Sequence, residues 1–489
     1  MRKLNSQLAG LILVGSLSCL ARVHAAVIYV DKDNSCPGSG ASNSPYCTIQ
    51  AAFKVAHPGD IIRIRDSATP YDERAVATRS GTANAPITVE PDAGHHPTLR
   101  YSGRNAQAGV IEIKDADYWH IRGLTLDGSE SQTSRYAVLL YAYSRDITGH
   151  RIVQNTFKHW GGTGENTKAA AAIVLRPRFN KGLLTLHVTN SMVSENVFSN
   201  NAQGAIQLIK TRNIIIERNT IQDTQCGRKP DGRAGAMGIK DSQGSVGTII
   251  RFNIVRNHQK SEECLLPNQG NATYFGIYCD TGSTNGEVIG NVVYNIDKDH
   301  PKITNPRATG GSSTGIFIES LCHDWRVHGN LVHNIGIHGL RNGSRRTGDP
   351  NRTTWTNNTV YGVGRNALWV VRGRNLTVKN NILVHNQANA AIELTKTAVD
   401  QGPHTIDRNL YWDMRDGARV GRWGDNLTLN LADWRRSCEC DAVALTVNPL
   451  FMNVSTGSED FRLSSSSPAR GVGENNKDLG AYPSALTKR

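Results

Sequence analysis

Long apolar runs are scarce in this chain. One lies between Leu8 and Leu20, and no later stretch reaches the roughly 18 apolar residues that a membrane-spanning helix needs. A membrane span is therefore excluded. Aromatic residues are few, at 6% of the 489 residues, whereas glycine occurs 47 times. That balance fits thin layers joined by many bends. No cysteine or histidine spacing matches a zinc site, and the local cluster His323, His328, His333 and His338 matches no metal motif. Acidic residues are also in deficit: 42 Asp and Glu stand against 55 Lys and Arg, a net charge of +13.

The one apolar run belongs to an export signal. Arg2 and Lys3 precede it, and Val23-His24-Ala25 closes residues 1–25 before a cleavage point. The protein is expected to be secreted or periplasmic. Loss of Arg2, Lys3 and Arg22 leaves a mature charge of about +10. An exported basic chain points to a polyanionic partner. Acidic polysaccharide is the expected one, and no nucleic acid, because export removes most nucleic acid from reach. A solubilising charge is the plain alternative. The mature chain keeps eight cysteines, an even count that suits an oxidising compartment. Cys36 is expected to pair with Cys47, Cys226 with Cys264, and Cys279 with Cys322. Cys438 and Cys440 stand too close together to be assigned.

What the sequence has in abundance is a repeated phrase: an apolar stretch, then Asn, then one residue, then a hydrophobe. It recurs at Asn155, Asn196, Asn219, Asn253, Asn291, Asn330, Asn358, Asn381 and Asn409. The gaps run from 23 to 41 residues. A fixed minimum with variable excess describes a solenoid whose rungs carry loops of different length. Asn tolerates left-handed backbone at tight bends, and stacked Asn side chains form hydrogen-bonded ladders. WHIRGLTLDG (119–128) opens this rhythm, with Gly123 standing where Asn stands later. Rungs are expected over 119–411. Residues 26–118 hold an N-terminal cap and first rungs, including a short helix over 48–56 capped by Thr48 and ended by Pro58-Gly59-Asp60. Residues 412–489 form a closing segment. Long loops are expected at 158–170, 225–236, 258–273, 298–313 and 343–353. A capped solenoid of this kind is expected to be a monomer.

The opening TIQAAFKVAHPGDIIRIRD, the N-x-V rungs and the closing NPLF…DFRL…SPA…DLGAY resemble exported right-handed parallel β-helix proteins of the pectin-lyase-like superfamily. The resemblance covers most of the mature chain. It implies an all-β fold, a right-handed parallel β-helix solenoid with a short N-terminal capping helix and a C-terminal closing segment. The superfamily includes polysaccharide lyases, glycoside hydrolases, mannuronan epimerases and adhesins, so fold alone does not choose among them.

A count back from the asparagines locates a candidate site. Fifteen residues before Asn219, Asn253, Asn291 and Asn330 stand Gly204, Gly238, Gly276 and Gly315. Equal counts predict aligned strands, GAIQL, GIKDS, GIYCD and GIFIE. Alternation sends the second and fourth residues after each glycine outward. This places Ile206, Lys240, Tyr278 and Phe317 in one outward column, and Leu208, Ser242, Asp280 and Glu319 in the next. HGLRN (338–342) adds Arg341 beyond Phe317, with His338 nearby. Lys240, Asp280 and Glu319 are the candidate catalytic group. Tyr278, Phe317, Arg341 and His338 are the candidate substrate contacts. Asp280 and Glu319 side by side suit a Ca²⁺ site or a catalytic pair; neutralisation by Lys240 or Arg341 is the structural alternative. Tyr278 and Phe317 either stack on sugar rings or pack beneath a loop.

The preferred expectation is a polysaccharide lyase that cleaves a uronate-containing polymer by β-elimination, with Lys240 as base and Arg341 on the substrate carboxylate. GIKDSQGSVGTIIRFN resembles the lysine-bearing rung of the chondroitinase-B and alginate-lyase family. The alternatives are a retaining glycoside hydrolase using Asp280 and Glu319, and a non-catalytic carbohydrate-binding β-helix protein.

Overall fold

The computed structural model describes residues 25–481, apart from 104–108, 129–135, 161–170, 179–184, 229–233, 259–272, 299–311, 320, 345–347, 386–389 and 416–418. Short strands of mostly three to eight residues stack into three long sheets of 13, 14 and 12 strands. Pairing along all three is parallel, save the last pair at the end of the second sheet and the two-residue strand Gly227–Arg228 that joins that sheet antiparallel. Each rung contributes one strand to each sheet, so the chain winds as a parallel β-helix. The expected long loops fall largely outside the described residues, as does the signal segment except for Ala25. Among the described residues no helix is long and apolar enough to cross a membrane.

The helix Ile49–Val55 sits at the N-terminal end. Thr48 caps it by accepting from the Ala51 N–H, as expected, and Phe53 packs on Trp119 at 4.8 Å between ring centroids. The asparagine ladder runs through the rungs from Asn155 onward. In each rung the Asn Nδ2 and backbone N–H both donate to Oδ1 of the next Asn, from Asn155 to Asn409, at 2.9–3.1 Å. Nδ2 also donates to a main-chain carbonyl of the preceding rung, as Asn291 does to Ile250. Asp441 ends the ladder by accepting from Asn409.

Two details differ from expectation. The left-handed residue is the one before each ladder Asn: Gln154, Glu195, Arg218, Phe252, Gly290, Gly329, Asn357, Asn380 and Arg408 all have φ between 53° and 65°. The ladder position selects Asn for its buried amide, not for its backbone. The ladder also begins one residue later than Gly123 suggested. Gly123 is level with Gln154, and the Leu124 N–H donates to Asn155 Oδ1.

The disulfides Cys36–Cys47 and Cys279–Cys322 form as expected, and Cys438 pairs with Cys440 despite a separation of two residues. Cys226 is disulfide-bonded, and Cys264 lies outside the described residues.

After the last rung the chain turns back. Phe461 packs on His333 and Tyr361, the Gly480 N–H donates to the Asn380 carbonyl, and the Ala481 N–H donates to Thr359 Oγ1. The closing segment therefore runs along the outside of the third sheet rather than only covering the solenoid's end.

Candidate active site on the second sheet

The glycines that open the site strands have a packing cause. A Cβ at Gly238, Gly276, Gly315 or Gly339 would fall 2.6, 2.4, 2.5 or 2.3 Å from Cγ1 of Val255, Val293, Val332 or Val360 on the third sheet. The second sheet bends tightly against the third there, and its strands leave the corner in common register. Lys240, Tyr278, Phe317 and Arg341 are consecutive partners across four rungs, as expected, and Trp369 follows Arg341. Ser242 and Asp280 pair in the next outward column. The strand at Gly204 is the exception. Ile206 pairs with Ile239 and Gln207 with Lys240, so the strand is shifted by one residue. Ile206 and Leu208 point inward and are buried, and Gln207 faces outward instead.

The charged residues form one connected group. Lys240 Nζ lies 2.8 Å from Asp280 Oδ2 and 5.1 Å from the Tyr278 ring centroid. Thr281 Oγ1 donates to Asp280 Oδ1 at 2.6 Å. The Tyr278 hydroxyl donates to Glu319 Oε2. Asp280 and Glu319 share a hydrogen bond, and Ser344 also reaches Glu319. Burial penalises both carboxylates, but their neighbours split them. At Asp280 the Lys240 charge and its hydrogen bond prevail and hold the carboxyl below its ordinary range. At Glu319 burial prevails over the Tyr278 hydrogen bond, the Asp280 charge adds to it, and the carboxyl is pushed up. The two carboxyls are therefore set apart, Asp280 as the stronger acid and Glu319 as the weaker. Burial, then the charges of Asp280 and Glu319, push the Tyr278 phenol well above its ordinary value, so Tyr278 is a donor and not a base.

The aromatic residues lie differently from a sugar platform. Tyr278 and Phe317 project outward but are only 7% and 2% exposed. They stack on each other at 5.2 Å, with Phe275 against both at 4.7 and 5.3 Å. An outward aromatic column hides its faces in itself when the next rung offers another ring at stacking distance. The stacking contact expected of them is thus not presented to a ligand. Arg341 lies between Phe317 and Trp369, 4.3 and 4.8 Å from their centroids, and its Nη1 donates to Ser312 Oγ at 3.0 Å. His338 stacks on Trp369 at 4.4 Å and is buried. Three rungs separate Lys240 from Arg341, which is ~14 Å along the solenoid. Arg341 is too far along to neutralise the same sugar that Lys240 would deprotonate.

The oxygens at Asp280 and Glu319 do not fit calcium. Ca²⁺ takes about 6–8 oxygen ligands. Here the two Asp280 oxygens are engaged by the Lys240 ammonium and by Thr281, and Glu319 Oε2 by Tyr278. Among the described residues no group of three or more His, Cys, Asp or Glu could hold a metal ion.

Sequence reasoning missed Trp369. Its count from Asn381 reaches Asn366 and would send Leu368 outward, whereas Leu368 pairs with inward Leu340 and Trp369 with Arg341. It also missed Ser344 and Thr281, which lie in turns where alternation says nothing.

A family model described as a right handed beta helix region matches residues 109–349. Over 154 residues the chain is 33% identical to pectate lyase PEL9 of Emericella nidulans, a match that covers 29% of this chain and 35% of that relative. The match thus spans about a third of the relative's length. Among solved structures, pectate lyase Pel9A aligns over 94% of this chain and 96% of its own, with 13% identity and a TM-score of 0.48. The GH136 lacto-N-biosidase of Eubacterium ramulus aligns over 78% and 67%, with 11% identity and a TM-score of 0.51. Together with the three parallel sheets and the one-strand-per-sheet rungs, the family-model match shows that the chain has a right-handed parallel β-helix fold.

Proposed function

We propose that the protein is an exported polysaccharide lyase that cleaves a uronate-containing polymer by β-elimination, with Lys240 as the base. The observation that carries this reading is the amine of Lys240. It stands on the outward face of the second sheet, mid-column, 2.8 Å from Asp280. A chain relative named as a pectate lyase supports the substrate class, and the basic charge of +13 suits a polyanion.

In this reading Lys240 first passes a proton across the 2.8 Å contact to Asp280. Exclusion of water by the bound polymer favours the neutral amine and carboxylic acid over the ion pair. The amine then takes the proton from the carbon next to the uronate carboxylate. The electron pair forms the carbon–carbon double bond, and the bond to the 4-linked oxygen breaks. Glu319, the weaker acid of the two carboxyls, supplies a proton to the leaving oxygen. Arg341 meets the carboxylate of a different sugar on the same chain.

The test is ultraviolet absorbance during incubation with pectic, alginate and glycosaminoglycan polymers, beside a reducing-sugar assay. Absorbance should rise on one acidic polymer. Chelator should leave the rate unchanged, because no step uses a metal; loss of rate would restore calcium to the reading. A second reading has one observation in its favour, the opposite shifts of Glu319 and Asp280, as acid and nucleophile of a retaining hydrolase. It requires carboxyl groups about 5–5.5 Å apart, and these two are hydrogen-bonded to each other. Reducing ends without absorbance would favour it nonetheless. Silence in both assays would favour a binding protein.

A further inference from the structure

The same outward face carries a second cationic group toward the N-terminal end. Lys114, Tyr141 and Arg176 are consecutive partners on adjacent rungs. Arg176 lies 5.1 Å from the Tyr141 ring centroid and 5.7 Å from that of Tyr136. Tyr143 follows Tyr141 at the strand's end, 5.5 Å from it, and takes two cations at once: Lys114 Nζ at 3.9 Å and the Arg178 guanidinium at 4.3 Å from its centroid.

Two cations on one ring repel each other, and the ring's quadrupole offsets only part of that cost. Nearby carboxylates do not relieve it. Glu112, on the strand of Lys114, is held by Arg74 at 2.6 Å. Asp115 accepts from the N–H groups of Tyr143 and Ser144 and from the Ser144 hydroxyl. Among the described residues neither Lys114 nor Arg178 has a carboxylate within ion-pair distance. Two unneutralised donors beside tyrosine rings are what an anionic sugar needs, charge for its carboxylate and an aromatic surface for its ring.

We propose that Lys114, Tyr143 and Arg178 form an outlying subsite for a uronate carboxylate of the polymer whose reacting sugar lies at Lys240. The proposal rests on the lyase reading above. Arg178 follows the strand two rungs from Lys240, ~10 Å away, Lys114 lies four rungs away, ~19 Å, and Arg341 is three rungs from Lys240 on the other side. The bound chain would thus be held by cations over ~34 Å of the face, from Lys114 to Arg341, with the reacting sugar between them. Arg178 remains exposed and reachable.

The experiment uses the full chain carrying Lys240→Ala, so that polymer binds without turnover. Affinity electrophoresis in polygalacturonate, alginate and a neutral glycan measures the dissociation constant at two salt concentrations. Adding Lys114→Ala and Arg178→Ala should weaken binding to the acidic polymer about tenfold or more and flatten its salt dependence. Arg178→Lys should restore much of the salt dependence, which a folding defect would not. Unchanged affinity and salt dependence in the combined variant would overturn the subsite. If the Lys240→Ala protein prefers the neutral glycan, the uronate reading itself fails, and the subsite with it.

Discussion

The chemistry turns on a few side chains whose roles are set by their nearest charges. Lys240 and Asp280 are an ion pair at 2.8 Å, and Glu319 is a neighbour whose carboxyl burial pushes up. Lys240→Ala should abolish the rise in absorbance while the protein still binds polymer; undiminished turnover would remove Lys240 as base. Glu319→Gln keeps a donor but no transferable proton. It should lower turnover by about 10²-fold or more if general-acid help to the leaving oxygen matters. A rate within a factor of two of the parent would assign that proton to water. Beneath Lys240 the next side chain, Asp241, points into the solenoid. It is fully buried, and neither of its oxygens has a hydrogen-bond partner. Burial pushes its carboxyl up to about 7, and the nearby Ser245, Thr248 and Ser242 groups offset this only in part. The folded chain therefore binds this proton where the unfolded chain has lost it. Asp241 should cost stability progressively as pH rises from about 4 to about 7, with the full cost present above that. Asp241→Asn should flatten that slope and raise stability at pH 8, read by chemical denaturation across pH. An unchanged slope would mean that Asp241 is hydrated in solution.

At the scale of the rung, the asparagine ladder links each coil from Asn155 to Asn409 to the next through buried amides. Asn291 donates to the Ile250 carbonyl and to Asn330 Oδ1, and accepts from the Asn253 N–H and side chain. Asn291→Ala strands a buried N–H and a carbonyl and should cost about 2–4 kcal/mol in unfolding free energy. A loss below 0.5 kcal/mol would show that water enters and replaces the amide. The ladder was the most legible part of the fold, because one residue type does one job in nine successive rungs. Its phase was less legible. The left-handed bend is filled by Gln154, Arg218, Phe252 or Gly290 alike, so no single residue type marks it. Register in the second sheet was legible where the bend between strand and Asn keeps its length, at Gly238, Gly276 and Gly315. It slipped at Gly204, whose strand partners lie 33 residues on while its ladder Asn219 pairs 34 residues on. One residue moved from strand to turn reverses which side chains face out. The same slip hid Trp369. The shared outward column of Lys240, Tyr278, Phe317 and Arg341 was legible because alternation holds within a strand. Which of them would pair was not, since Lys240–Asp280 and Tyr278–Glu319 are diagonal contacts set by side-chain reach.

Over the whole molecule the unexpected element is the chain's return along the third sheet. Leu383 and Tyr411 face the main core, but their neighbours Ile382, Val384 and Leu410 face outward and are still fully buried. They are covered by Ala469, Leu479 and the ring of Phe451. Each such side chain is worth roughly 1.5–3 kcal/mol when buried rather than exposed, so the return segment contributes several kcal/mol to the last rungs. Polar contacts fix its path: Glu459 accepts from Asn334, and Asn380 from the Glu474 N–H. A parallel solenoid is a stack of neighbours, and its terminal rungs have a partner on one side only. A strap that crosses the outside of several terminal rungs ties their unfolding together and shields an apolar strip that would otherwise favour aggregation. Truncation after residue 448 should therefore lower the melting temperature and increase binding of a hydrophobic dye. The site at Lys240 lies on another sheet and on earlier rungs, so polymer binding at low temperature should persist. A truncated protein that melts with the parent would mean that the last rungs stand without the strap. Loss of polymer binding together with stability would mean that unfolding from this end reaches the site in one cooperative step.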